Sequence, residues 1–181
     1  AFTQSGVVGA VTELASYSVD TGTGGASIEA ALSTSGPITV YGDNVSINAD
    51  LNTSGGAADG GVLVKGSGDV VLNADKSITT SGAPVILWAN SDNQASSGSI
   101  ALRDGSSVVT GSSSVPGGAI WLGGGSDGGA WNGLSVGSGY AVPGTTFTPS
   151  NGGGAATAGI YLEQNALSSF GGNIKINGDA A

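Results

Sequence analysis

The 181-residue chain contains no cysteine, no histidine and no methionine. Without cysteine there is no disulfide framework, no thiolate metal site and no thiol nucleophile. Without histidine the usual general base near neutral pH is missing, which excludes a Ser–His–Asp triad and any zinc site built on imidazole. Enzymatic readings shrink to those run by carboxylates or lysine. Positive charge is equally scarce: Lys65, Lys76, Arg103 and Lys175 are the only cations, and the net charge is −9. Such a chain cannot displace the counterions of a nucleic acid and has little attraction for an anionic membrane, so no nucleic-acid partner is expected. No apolar run approaches the roughly 18 residues of a membrane-spanning helix, so no membrane insertion is expected either.

What is present is glycine, 35 residues of it, together with 39% apolar residues gathered in short regular runs. That patterning argues against disorder. The opening, AFTQSGVVGA, lacks the charged segment of a signal peptide, and scarcity of lysine and arginine suits a secreted chain. The chain is long enough for one domain with a sizeable core.

The runs repeat. IEAALSTSG, INADLNTSG and LNADKSITTSG, starting at 28, 47 and 72, are three versions of one phrase, 19 and 25 residues apart; LRDGSSVVTG (102–111) is a looser fourth. A second phrase recurs as ITVYGDN (38–44), VLVKGSG (62–68), VILWANS (85–91), AIWLGGG (119–125) and IYLEQN (160–165), with NIKINGD (173–179) as a last copy. Each run alternates apolar and polar residues and ends at Gly, Asn, Asp or Ser, the signature of a short strand and a turn. No 3.6-residue period is sustained, leaving helix no place beyond a cap at 10–15. Strands that repeat the same words in the same order predict an all-β parallel solenoid, one coil per repeat. Residues 1–27 read as an N-terminal cap or first coil, 126–158 as a long glycine-rich insertion loop, and 159–181 as a terminal coil.

Aligning the second phrase puts Ile38, Val62, Val85, Ile120, Ile160 and Ile174 in one inward column, and Val40, Val64, Leu87, Leu122, Leu162 and Ile176 in the next. Ala49 and Ala74 fall where the coil turns tightly, and Asn48 above Asn73 could form an amide ladder. The outward positions are Thr39, Leu63, Ile86, Trp121, Tyr161 and Lys175, flanked by Tyr41 and Trp88. An apolar stripe on the outside of a solenoid demands a cover or a partner. Three readings stand open: an insertion folds back over it, a partner or second copy covers it, or its aromatics bind sugar. The insertion itself carries Trp131, Tyr140 and Phe147, which look like anchors. Leu63, Ile86, Trp88, Trp121, Trp131, Tyr140 and Tyr161 are therefore the candidate assembly or ligand surface.

Carboxylate chemistry has candidates in Asp43, Asp50, Asp69 and Asp75. Asp50 and Asp75 occupy matching places in the repeat, which would stack them ~5 Å apart. Both follow alanine at a turn, where aspartate is a common turn former, so no catalytic residue is assigned. No cofactor is implied, although the loops at 90–94 and 125–129 offer oxygen ligands for a structural calcium through Asp92 and Asp127.

Taken together, GPITVYGDNVSINADLNTSG, GDVVLNADKSITTSGAPVILWANSD, GSIALRDGSSVVTG and GAIWLGGG resemble the repeat region of filamentous-haemagglutinin-like bacterial exoproteins, over about 28–125 and again at 159–179. The resemblance implies a right-handed parallel β-helix, secretion to the cell surface or exterior, and a non-enzymatic role in adhesion or filament building. The Asn-Pro-Asn-Gly motif found near the N-terminus of many such exoproteins does not occur here, and the chain is far shorter than a typical adhesin, which makes it a fragment or a small relative. The open ends of a solenoid present unpaired strand edges, so a homo-oligomer or filament built end to end is expected. A glycan or a host surface is the alternative partner.

Overall fold

The structure, a computed structural model, describes residues 1–57, 60–94 and 98–180. Among them there is no helix, and residues 10–15 form no helical cap. The chain instead visits three parallel sheets in turn, an arrangement compatible with a β-solenoid.

The first circuit is incomplete. It has β1 (Phe2–Gln4) and β2 (Tyr17–Asp20), and between them only the single bridges Val8–Leu32 and Leu14–Thr34. The second circuit runs through β3 (Ala26–Ile28), β4 (Leu32–Thr34) and β5 (Ile38–Gly42). The third has β6 (Val45–Ile47), β7 (Leu51–Thr53) and β8 (Val62–Gly66). The fourth has β9 (Val70–Leu72), β10 (Ser77–Thr80) and β11 (Val85–Trp88). The fifth has β12 (Ile100–Leu102), β13 (Ser107–Thr110) and β14 (Ile120–Gly123). The chain then leaves the stack and forms two small antiparallel ribbons. One joins β15 (Gly129–Trp131) to β16 (Leu134–Val136), the other β17 (Thr146–Phe147) to β18 (Ala156–Thr157). It returns as β19 (Ile160–Leu162), β20 (Ala166–Ser168) and β21 (Ile174–Ile176). The first sheet is ordered β1-β3-β6-β9-β12-β19, the second β4-β7-β10-β13-β20, and the third β2-β5-β8-β11-β14-β21.

Side chains alternate across each strand, and the inward ones stack in columns. In the third sheet Tyr17, Ile38, Val62, Val85, Ile120 and Ile174 align, as do Val19, Val40, Val64, Leu87, Leu122 and Ile176. One continuous apolar core runs along the axis through these columns and those of the other two sheets. Each strand is buried by its neighbours above and below, so stability is carried by circuit-to-circuit contact.

Ile160, Tyr161 and Leu162 depart from the expected register. They pair with Ile100, Ala101 and Leu102 in the first sheet, not with the third-sheet column. The reason is the order of visits: after β14 in the third sheet, the next strand to enter the stack must serve the first. The phrase NIKINGD then supplies the third-sheet strand. The turn after β9 also differs from expectation. Ile47 to Leu51 spans four positions while Leu72 to Ile78 spans six, yet both ends align. Asp50 therefore stands opposite Ser77, and Asp75 lies in the extra turn. Ala49 is buried as expected, whereas Ala74 on the longer turn is exposed.

The repeated Thr-Ser-Gly acquires a meaning here. Thr34, Thr53, Thr80 and Thr110 point inward at the end of the second sheet and are fully or almost fully buried. Each hydroxyl donates to a carbonyl at the following corner: Gly36 at 2.6 Å, Gly60, Ala83 at 2.5 Å and Gly118 at 2.6 Å. Ser169 does the same to Gly172 at 2.5 Å. A buried hydroxyl must find an acceptor, and this column pins the corner between the second and third sheets in each of the five later circuits.

Candidate functional site

The outward column of the third sheet is Ser18, Thr39, Leu63, Ile86, Trp121 and Lys175. Its apolar middle is not a free surface. The ribbon β15–β16 lies over it, so that Ile86, Trp88, Trp121 and Val136 form a buried cluster flanked by half-buried Leu63, Trp131 and Leu134. Trp88 and Trp121 meet edge to face, with centroids 6.0 Å apart and planes at 75°. The Trp88 indole N–H donates to the Gly125 carbonyl at 2.7 Å, and Lys65 Nζ sits 4.1 Å above the Trp88 ring while pairing with Asp127 at 2.6 Å. Among the described residues Trp121 Nε1 is buried without a hydrogen-bond partner, so packing rather than polar contact holds this ring in place.

The ribbon has its own local cause. Trp131 and Leu134 pair across the two-residue turn Asn132–Gly133, both with positive φ (51° and 78°). Asn-Gly between two apolar residues is a strong short-range hairpin signal, because both central positions of the turn need φ > 0. That signal was present in the sequence and points to a folded cover rather than a loop.

Tyr161, displaced to the first sheet, belongs to a second covered patch. The ribbon β17–β18 brings Phe147 onto it, rings nearly parallel at 20° and 5.2 Å between centroids, over buried Ala101. Arg103 lies about 6 Å from both rings and donates from Nε to Glu163 at 3.2 Å and from its terminal nitrogen to the Thr148 carbonyl at 2.8 Å. Glu163 is buried and also accepts from the Ser150 hydroxyl at 2.7 Å and from the Ser150 amide. Those two hydrogen bonds, and then the Arg103 charge, hold its carboxyl below the ordinary glutamate range. Of the seven residues expected to form one surface, Trp88, Trp121 and Ile86 are buried under one ribbon, Tyr161 under the other, and only Tyr140 is well exposed, at 59%. They are not a shared platform.

The acidic candidates have structural partners. Asn73 donates to Asn48 at 2.6 Å and Asn48 to Glu29 at 2.8 Å, the amide ladder expected at that corner. Asp50 accepts from the Ser77 amide at 2.8 Å and hydroxyl at 2.9 Å. Asp69 accepts from the Ser99 amide at 2.7 Å and from Thr145, tying the second ribbon to the stack. Asp43 accepts from Ser67 at 3.1 Å, and Asp75 is a turn residue with φ of 59°. At the proposed calcium loops, Asp92 accepts from the Gln94 amide at 3.2 Å and Asp127 pairs with Lys65. Among the described residues no three acidic side chains converge on a metal position.

Apolar side chains stay bare in the first circuit, where Val7, Val11 and Leu14 are exposed, and at the C-terminal end of the stack. Leu162, Ile174 and Ile176 are 41%, 41% and 45% exposed, while the residues directly beneath them, Leu102, Ile120 and Leu122, are each at 0%. Among the described residues β19, β20 and β21 each have one strand neighbour, which leaves their other edges open. At the opposite end β1 and β2 are likewise edge strands.

No family model, curated protein or solved structure matches the chain. What it can do must be read from its own surfaces. Two apolar patches are closed by the chain itself, and the C-terminal end of the core is among those left bare.

Proposed function

We propose that this chain is a secreted, non-enzymatic structural β-solenoid of the filamentous-haemagglutinin-like type, a right-handed parallel β-helix that builds an extracellular filament or adhesin stalk by stacking end to end. One observation carries the reading. Core columns that are sealed within the stack emerge half exposed at Leu162, Ile174 and Ile176, on edge strands. A bare edge over an apolar core templates another strand. If the β1/β2 end of a second copy takes up the running register, Phe2 falls on Ile160, Tyr17 on Ile174 and Val19 on Ile176, apolar on apolar. Contacts of this kind join unlike ends and do not close, so they make filaments.

Light scattering and negative-stain electron microscopy of the purified chain test this. The expected result is concentration-dependent rods one solenoid wide, shortened or abolished by Ile174→Lys with Ile176→Lys. A monomer that persists to high concentration would overturn the reading.

A further inference from the structure

Resting on the end-stacking reading, we infer that Lys175 and Asp20 form the ion pair that gives the junction its polarity, the C-terminal face of one copy accepting the β1/β2 face of the next. Both residues lie on edge strands of the same sheet, at opposite ends of it, and both point outward. Continuing the register places Lys175 beside Ser18, with Asp20 one outward position along. A lysine reaches such a diagonal neighbour, about 7–8 Å away between backbones.

The charges favour this pairing over others. Among the described residues Lys65 pairs with Asp127 and Arg103 with Glu163, while Lys175 makes no ion pair. One carboxylate oxygen of Asp20 accepts from the Gly22 amide at 2.8 Å, which fixes the side chain and leaves its second oxygen free. Asp20 stands on the wall of an open groove of about 520 Å³ with Tyr41, Lys65 and Ser67. Burial, and after it the charges of Asp127 and Asp20, pushes the Tyr41 phenol above its ordinary value. Two like ends would bring like charges to the same junction and would turn parallel sheets antiparallel. In a chain of net charge −9, an attractive contact between ends has to be local.

The test is a charge swap in the full chain, read as the association constant by light scattering at low salt, with circular dichroism and thermal melting as folding controls. Lys175→Asp and Asp20→Lys should each weaken association about five- to tenfold, and the double variant should restore it. An equimolar mixture of the two single variants should co-assemble, since each then meets its opposite. The differences should shrink at about 1 M salt, where the screening length falls to ~3 Å. Rods that grow with unchanged affinity in both single variants overturn the ion pair and leave end stacking intact. Failure of the unsubstituted chain to associate at all overturns both.

Discussion

Two apolar surfaces of this molecule have opposite fates. On the side of the stack, the third sheet presents Leu63, Ile86 and Trp121 outward, and the chain spends a whole ribbon covering them. At the end of the stack, Ile174 and Ile176 present the same kind of side chain and remain bare. A side stripe is finished by a local excursion, because a hairpin can lie across it. An end is finished by another circuit or by a cap, and either must meet backbone edges as well as apolar side chains. The chain closes its side stripe itself, and the proposed assembly rests on the edges at the end of the stack.

The sharpest way to break that distinction is at Trp121. Trp121→Ala should cost about 3–5 kcal/mol in denaturant unfolding, as a large ring fully buried between sheet and ribbon. Ile176→Ala at the open end should cost well under half as much in the dilute chain; equal costs would mean that the end is sealed in solution. Thr80→Val should follow at about 1–3 kcal/mol, because the Ala83 carbonyl loses the buried hydroxyl that meets it at 2.5 Å.

The second covered patch is tied by a titrating group. Glu163 has a folded pKa below its unfolded value, so its contribution is present above the unfolded pKa of about 4.3 and is lost as pH falls through the folded one. The ring resonances of Tyr161 and Phe147 should separate in that acid range before the Trp88–Trp121 cluster changes. Glu163→Gln should loosen the patch at neutral pH and remove the acid step; a step that survives the substitution assigns it to another carboxyl. The smallest effect belongs to Lys65 and Asp127. Asp127→Asn should cost about 0.2–1 kcal/mol and less at high salt, since Asp127 is largely exposed.

Much of the fold was legible before the structure. The phrases around Ile47 and Leu72, and around Val62 and Val85, align as read, and the Asn48–Asn73 ladder forms. Register and wording part where a phrase keeps its words and changes its place. IYLEQN resembles VILWANS, yet its place in the order of visits puts Tyr161 in the first sheet. The two residues by which LNADKSITTSG exceeds INADLNTSG were visible, and they are what separates Asp50 from Asp75. The covered stripe was foreseen as one of three outcomes; the Asn132–Gly133 turn between Trp131 and Leu134 was the cue that pointed to a hairpin.

By itself, the sequence determined the strands, their inward and outward faces and the exclusion of thiol and imidazole chemistry, because alternation and composition are local properties. Tertiary structure alone decided which apolar side chains meet water. Ile174 and Ile120 are the same residue at the same register position, and one is half exposed while the other is sealed. The difference lies in whether a further circuit stacks upon them, and that depends on a strand's place in the stack, which no local pattern encodes.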